Sequence, residues 1–214
     1  MSTPMNEAMN DAFVGRAAAY YASKLRAHGP THRGVDWNSS QSQELRFEQL
    51  LRVCGAVPRL DVNDYGCGYG ALVDYLAADG RPFEYAGYDA SAEMIDAARA
   101  AHAGVAGCTF TSTRPDLTPR AYTIVSGVFN VKLDAKHDDW WEYVAGALDD
   151  VAAVSTSGFA FNLLTSYTDP GRRRADLFYA QPEAVFTHCL TRYSRAVALV
   201  HDYPLYEFTV LVRL

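Results

Sequence analysis

The chain has 214 residues, a net charge of −6 and a hydrophobic fraction of 49%. This composition predicts one soluble globular domain with a sizeable core, and the negative charge argues against unspecific nucleic-acid binding. The four cysteines form no C-x-x-C pair, so neither a zinc site nor a disulfide framework is predicted.

The sequence also favours a cytoplasmic location without a membrane partner. No apolar run approaches the ~20 residues that a membrane-spanning helix needs. The start, "MSTPMNEAMNDAF", lacks the basic beginning and apolar middle of a secretory signal. The pattern gives no indication of the oligomeric state.

Residues 1–58 are predicted to form a helical region that either packs on the rest of the chain or acts as a lid. Residues 11–29 have a helical pattern, residues 30–38 form a loop, and a second helix is expected over residues 40–55. Ser40 and Gln43 have the spacing of a capping box at the start of that second helix.

From residue 60 onward, strand-like and helix-like segments alternate. The predicted helices cover residues 71–80, 91–104 and 138–154, with Ser91 as an N-cap. The predicted strands cover residues 59–65, 83–89, 108–112, 121–129 and 158–164. This alternation indicates parallel strand pairing with right-handed crossovers.

The alternation of strand-like and helix-like segments changes near the end of the chain. Residues 182–190 have a helical pattern, with Pro182 in the first turn. Residues 195–214 are predicted to form two strands around the turn "DYPLY". We expect these strands to form an antiparallel pair near one edge of the sheet.

The stretch "VNDYGCGYGALVDYL", residues 62–76, places three alternate glycines between a strand and a helix. Glycine is most useful where φ is positive or where a ligand approaches the backbone closely. In an open parallel sheet, ligands bind at this end of the strands. The spacing G-x-G-x-G differs from the G-x-G-x-x-G of dinucleotide-binding folds, which argues against a nicotinamide cofactor.

These residues resemble the first motif of the class I S-adenosylmethionine-dependent methyltransferases. The matching positions are Asp64, Gly66, Cys67, Gly68 and Gly70. A second motif of the family, an acidic residue at the end of the second strand, is matched by Asp89 in "GYDASAEMIDAAR". The resemblance implies a Rossmann-like, seven-stranded, mostly parallel sheet with an antiparallel terminal strand and helices on both faces, here over residues 59–214.

The resemblance also implies S-adenosyl-L-methionine as cofactor and a role for each matching residue. Asp89 would accept hydrogen bonds from the two ribose hydroxyls, and Asp64 would lie near the ammonium group. The methionyl end would lie on the glycine turn, above Gly127 and Val128. The adenine would lie among Ala90, Met94, Ser112 and Thr113. The alternatives are that Asp64 only forms the turn and that Ser112 and Thr113 are ordinary loop residues.

Four further features are candidates for chemistry or recognition. His137 has a suitable side chain for a general base, although "HDD" also suits the start of a helix. Arg46 could bind the cofactor carboxylate through its planar guanidinium. Trp37 is expected either to close over the site or to anchor its loop in the core. Arg172–Arg174 fit an anionic acceptor or a solvated surface.

The resulting hypothesis is a methyltransferase that acts on an oxygen or nitrogen of a small molecule. The Asn-Pro-Pro-aromatic motif of family members that methylate amino groups of nucleic acids and proteins is absent after the fourth strand, where the chain reads "SGVFNV". Two alternatives remain open from the sequence: a methyltransferase for a protein or RNA partner, and a module that binds the cofactor without catalysis.

Overall fold

The structure, a computed structural model, describes the backbone of residues 4–214 and the side chains from residue 9 onward. The helices are α1 Pro4–His28, α2 Ser40–Leu51, α3 Ala71–Asp79, α4 Ala92–Ala101, α5 His137–Ala153 and α6 Pro182–Arg192. The strands are β1 Leu60–Tyr65, β2 Phe83–Tyr88, β3 Cys108–Thr111, β4 Arg120–Val125, β5 Ser155–Thr165, β6 Tyr179–Ala180, β7 Ala196–Val200 and β8 Glu207–Arg213.

The strands form one sheet in the order β3–β2–β1–β4–β5–β8–β7, and β6 pairs separately with the end of β5. Strands β1 to β5 pair in parallel, whereas β8 is antiparallel to both β5 and β7. The chain order reverses between β1 and β4, so a crevice opens there at the carboxyl ends of the strands.

Alternate residues of the central strands point to opposite faces of the sheet, and each face has its own apolar core. Leu60 and Val62 of β1 pack with residues of α2, α3 and α4. Phe159 and Phe161 of β5 pack with residues of α5 and α6 on the other face. The predicted fold class, with helices on both faces of a mostly parallel sheet, is confirmed.

Several boundaries differ from the sequence predictions. The N-cap of α2 is Ser39, whose hydroxyl accepts a hydrogen bond from the Ser42 N–H, so the predicted capping box at Ser40 was one residue out of register. Strand β4 ends at Val125 rather than at residue 129, because the chain turns through Gly127 with φ +73°. The two-residue strand β6 is an addition to the predicted seven.

Helix α1 crosses the sheet edge where the strands end. At one side Phe13 packs edge-on against Trp140 and Tyr143 of α5, at ring-centroid distances of 5.5 and 6.0 Å. At the other side Arg26 pairs with Glu93 of α4 at 2.5 Å. The helix therefore spans the crevice from one face of the sheet to the other. Within the described residues, no helix is both long and apolar enough to cross a membrane.

Candidate active site

The glycine turn follows β1 and opens helix α3. All three glycines have positive φ: +82° at Gly66, +55° at Gly68 and +85° at Gly70. The N–H groups of Gly66 and Cys67 both donate to the Tyr88 carbonyl of β2, at 2.7 and 2.9 Å. The turn therefore curls back over the sheet, in a backbone conformation that side-chain-bearing residues rarely adopt.

Close neighbours provide a second reason for these glycines. A Cβ atom on Gly66 would lie 2.2 Å from Cγ2 of Val128, and one on Gly70 would lie 2.8 Å from the His102 ring. The turn is thus held tightly between the segment after β4 and the end of α4. The chain needs glycine at both positions before any ligand is considered.

Asp89 lies directly after β2 and joins the turn to the next helix. One carboxylate oxygen accepts the Gly68 N–H at 2.9 Å, and the other accepts the Ser91 N–H at 2.8 Å. Burial raises the pKa of the Asp89 carboxyl, and these two N–H donors oppose that rise. Each oxygen retains lone-pair capacity for one more donor, as two ribose hydroxyls would require.

Asp64 is buried beneath the turn. Its Oδ2 accepts a hydrogen bond from the Tyr85 hydroxyl at 2.8 Å. Burial raises the Asp64 pKa to about 7, the Tyr85 hydrogen bond opposes the rise, and the nearby Asp89 charge adds to it. Asp64 therefore changes its charge near neutral pH.

A cavity of about 720 Å³, including its open mouth, lies between the sheet edge and α1; we call it the main cavity. Its floor comes from the glycine turn, from the ends of β1 and β2 and from the segment after β4. Its roof comes from Val14, Ala17, Ala18 and Tyr21 of α1. The predicted residues that line it are Gly66, Gly68, Asp89, Ala90, Met94, Gly127 and Val128.

The main cavity has an aromatic wall, of which the sequence predictions named only Trp37. Tyr65 and Tyr88 end β1 and β2, and their rings lie 5.1 Å apart. Tyr21, Trp37 and Tyr143 complete the wall. A tyrosine directly before Gly66, and another directly before Asp89, was a signal available in the sequence.

A smaller cavity, the side cavity, lies on the other side of the glycine turn and measures about 330 Å³ including its open mouth. Asp64, Cys67 and Gln43 line it, and Gln43 accepts a hydrogen bond from the Tyr69 hydroxyl at 3.3 Å. The two cavities share five lining residues, namely Val35, Trp37, Gly66, Gly68 and Ser126. They are therefore neighbours separated by one narrow wall.

Three predicted residues lie elsewhere. Ser112 and Thr113 are exposed and line neither cavity, because the loop after β3 turns outward through the Thr111 hydroxyl, which accepts the Thr113 N–H at 3.0 Å. His137 is exposed at the start of α5, and its ring lies 4.7 Å from that of Phe178. The His137 Nε2 atom approaches the Tyr179 carbonyl at 3.3 Å, so the imidazole faces away from the main cavity.

Arg46 has a different partner from the one predicted. Its Nε lies 2.7 Å from Oε1 of Glu207, and the side chains are only 8% and 0% exposed. Arg46 also donates to the Ser42 carbonyl at 2.7 Å and stacks on the Trp37 ring, with Cζ 3.7 Å from the centroid. It contributes to neither cavity lining. Arg172, Arg173 and Arg174 are exposed and bind nearby carboxylates or carbonyls.

The donors and acceptors around the two cavities suit S-adenosyl-L-methionine. The Ser126 Oγ atom, at the wall shared by both cavities, is buried and has no hydrogen-bond partner among the described residues. A buried hydroxyl that lacks a partner marks a place where a ligand group completes the bonding. Asp89 on one side and Asp64 on the other offer carboxylates for the ribose and ammonium ends of such a molecule.

Comparisons with known proteins agree with this geometry. The family described as "Methyltransferase domain" matches residues 62–155. A protein of Mycobacterium tuberculosis strain H37Rv that carries a methyltransferase name, Rv1506c, is 45% identical over 163 residues, which are 76% of this chain and 98% of that protein. The chain therefore belongs to the class I S-adenosylmethionine-dependent methyltransferases, and it is an enzyme with S-adenosyl-L-methionine as cofactor.

Solved structures share the fold at low identity. The N-methyltransferase NodS from Bradyrhizobium japonicum, in complex with S-adenosylhomocysteine, has a TM-score of 0.64 at 17% identity and covers 92% of this chain and 97% of its own. Magnesium protoporphyrin IX methyltransferase from Synechocystis, with bound S-adenosylmethionine, has a TM-score of 0.57 at 13% identity. The match covers 99% of this chain and 98% of that protein.

Proposed function

We propose that this enzyme transfers the methyl group of S-adenosyl-L-methionine to an oxygen or nitrogen of a small, largely apolar molecule. The observation that carries this proposal is the roof of the main cavity. Helix α1 lies across the crevice and lines it with Val14, Ala17, Ala18 and Tyr21. A crevice covered by an apolar helix suits a small molecule better than a segment of protein or RNA.

The residues at the ends of β1, β2 and β4 are proposed to bind the cofactor, which supplies a methyl group activated on a sulfonium sulfur. Asp89 would hold the ribose, with Ala90 and Met94 beside the adenine. The backbone of Gly66, Gly68 and Gly127 would leave space for the methionyl arm, with Val128 beside it. Asp64, Cys67 and Gly70 would shape the turn and its charge. Within the helical region 1–58, helix α1 is proposed to act as the lid, whereas α2 packs on the sheet with Leu50 and Leu51 in the core.

Among the residues whose side chains the structure describes, the ionisable groups that line the main cavity are one carboxyl, from Asp89, and four phenols. Burial raises the pKa of all four phenols, those of Tyr21, Tyr65, Tyr88 and Tyr143. The pKa of Tyr65 rises to about 12. These hydroxyls therefore stay protonated at neutral pH and donate hydrogen bonds rather than accept protons. We propose an acceptor that loses its own proton to solvent before attack, such as an amine, an acidic phenol or a carboxyl group.

Under this proposal the chain accelerates the reaction by positioning and by excluding water. Fixing two reactants in line is worth up to about 7–11 kcal/mol of the barrier. The aromatic wall and the roof of α1 would hold a ring-containing acceptor against the cofactor through apolar and ring-edge contacts. The alternative of a protein or RNA acceptor keeps the same cofactor roles and differs only in what enters the main cavity.

Cofactor binding would be tested first by calorimetry with S-adenosylhomocysteine, using the wild type, Asp89→Ala and NAD as a control ligand. We expect clear binding to the wild type, at least about tenfold weaker binding to Asp89→Ala, and none of NAD; tenfold corresponds to about 1.4 kcal/mol. Asp96→Ala on α4, a 78% exposed carboxylate, is the matched control. Equal affinities for wild type and Asp89→Ala would remove the proposed role of Asp89.

The acceptor would then be sought with S-adenosylmethionine carrying a labelled methyl group. The enzyme would be incubated separately with the small-molecule filtrate and with the macromolecular fraction of a cell extract. Label in the filtrate alone supports the proposal. Label confined to protein or RNA would overturn the small-molecule acceptor and leave the cofactor roles intact.

A further inference from the structure

The wall between the two cavities lies where the middle of a bound cofactor must pass. Asp89 lines the main cavity and Asp64 lines the side cavity, while Val35, Trp37 and Ser126 line both. If the ribose is held at Asp89 and the ammonium at Asp64, as proposed above, the connecting arm crosses this wall. Trp37 is the largest side chain in it.

Trp37 is packed against the backbone that forms the wall. A Cβ atom on Gly127 would lie 2.2 Å from Cζ2 and 2.4 Å from Cη2 of the indole. The edge of the ring therefore lies directly on Gly127, and any larger residue there would displace the ring. The position of the indole and the course of the backbone after β4 are consequently linked.

A closed ring of contacts connects Trp37 and Gly127 through buried polar side chains. The Gly127 N–H donates to Asn162 Oδ1 at 2.8 Å, and Asn162 Nδ2 donates to Glu207 Oε2 at 2.7 Å. The other Glu207 oxygen faces Arg46 Nε at 2.7 Å, and the Arg46 guanidinium stacks on Trp37 at 3.7 Å. This ring of contacts joins β5, β8, α2 and the loop before α2. Every polar side chain in it is more than nine-tenths buried.

The loop that carries Trp37 is also hydrogen-bonded to helix α1, which forms the roof of the main cavity. Asp36, next to Trp37, has a left-handed backbone with φ +61°. Its carboxylate accepts hydrogen bonds from the Tyr20 hydroxyl at 2.6 Å and from Lys24 Nζ at 2.8 Å, both on α1. The indole is therefore held between the buried ring of contacts and the lid helix.

We infer that Trp37 is a positioning residue for the amino-acid arm of the cofactor, and that Arg46 and Glu207 act through it. The indole lines both cavities, so it would fix where the arm and its sulfur lie relative to the acceptor space. This inference rests on the roles proposed for Asp89 and Asp64, and it is independent of which acceptor is methylated.

The test compares two ligands that differ only in that arm. With these roles S-adenosylhomocysteine would span both cavities, whereas 5′-methylthioadenosine carries the same nucleoside without the amino-acid portion. For Trp37→Leu we expect calorimetry to show roughly tenfold weaker binding of S-adenosylhomocysteine, with 5′-methylthioadenosine changed less than about threefold. Trp37→Phe should restore most of the loss, because a phenyl ring still stacks on the Arg46 guanidinium.

A second variant tests the contribution of the buried pair. In Arg46→Met/Glu207→Gln neither charge remains buried, and the glutamine oxygen still accepts from Asn162; we expect the same selective loss as in Trp37→Leu. Equal weakening of both ligands would overturn the inference, since it would show a general defect of the site. Unchanged binding of S-adenosylhomocysteine in both variants would overturn it as well. Failure of the cofactor roles themselves would appear separately, as weak binding of both ligands to the wild type.

Discussion

Arg46 Nε lies 2.7 Å from Glu207 Oε1, and the two side chains are 8% and 0% exposed. The N–H does not point at the oxygen as it would in a hydrogen bond, so the contact is an ion pair stacked under Trp37. Burial raises the pKa of Glu207, and the Arg46 charge and the Asn162 hydrogen bond oppose that rise. The Arg46 charge therefore offsets part of the cost of burying the Glu207 carboxylate.

Removing one member of this pair should destabilise the protein more than removing both charges. We expect Arg46→Ala to lower the free energy of unfolding by about 3–5 kcal/mol, because it leaves Glu207 buried and unpaired. Arg46→Met/Glu207→Gln should cost less than about 2 kcal/mol. Urea denaturation measures both values.

The exposed pair Arg59–Glu84, with side chains 58% and 40% exposed, provides the control. Arg59→Ala should change the free energy of unfolding by less than about 1 kcal/mol. A double variant less stable than Arg46→Ala would contradict the explanation, because the cost would then lie in lost packing rather than in an uncompensated charge.

Gly66 carries two constraints that a pair of substitutions can separate. Gly66 and Gly80 have nearly the same φ, +82° and +81°, but a Cβ atom meets Val128 at 2.2 Å in the first and nothing within 4 Å in the second. Gly80→Ala should cost about 1–2 kcal/mol from backbone strain alone. Gly66→Ala should cost about 1–3 kcal/mol more, because the added methyl group overpacks against Val128.

Combining Gly66→Ala with Val128→Ala should recover much of that additional cost, measured by denaturant unfolding of the two single variants and the double variant. Equal stabilities of Gly66→Ala and Gly80→Ala would show that the turn shifts to accept a methyl group. Within the folded chain, the requirement for glycine at position 66 would then come from its positive φ alone.

His137 should have little effect on catalysis. Its ring packs on Phe178 and faces the Tyr179 carbonyl, outside the main cavity. We expect His137→Gln to retain the rate of methyl transfer within about twofold, whereas loss of a general base costs about 10²–10⁴-fold. Single-turnover rates at saturating cofactor measure this, once an acceptor is found. A fall of about a hundredfold or more would restore the general-base hypothesis.

Local motifs made part of the site predictable. The positive φ values of the turn follow from the glycines themselves. Asp89, 21 residues beyond Gly68, lies beside the turn because β1 and β2 pair in parallel, as the alternation of strands and helices predicts. The structure brings both to the main cavity. The partner of Arg46 was beyond such reasoning, because Glu207 lies on the last strand and meets α2 only through the sheet order. The direction of His137 likewise depends on Phe178, which comes from another segment.

Asp64 gives the protein a pH dependence that can be isolated. Its carboxyl has an ordinary pKa of 3.8 and a pKa of about 7 in the folded chain. Tyr85, Cys67 and Asp89 face it, and burial is the main cause of the rise. Because the folded pKa is raised, folding favours the protonated form. The associated stability is complete below pH 4 and is lost as the pH rises towards 7.

Asp64→Asn keeps an oxygen for the Tyr85 hydroxyl and removes the titration. The quantity to compare is the free energy of unfolding of the wild type minus that of Asp64→Asn. We expect this difference to fall by up to roughly 4 kcal/mol between pH 4 and pH 7, because each pKa unit corresponds to about 1.36 kcal/mol. Other carboxyls titrate in both proteins, so the difference reports Asp64 alone. Asp96→Asn, at an exposed carboxylate, is the matched control. Parallel curves for Asp64→Asn and the wild type would show that water or a cation reaches Asp64 beneath the glycine turn and relieves the burial.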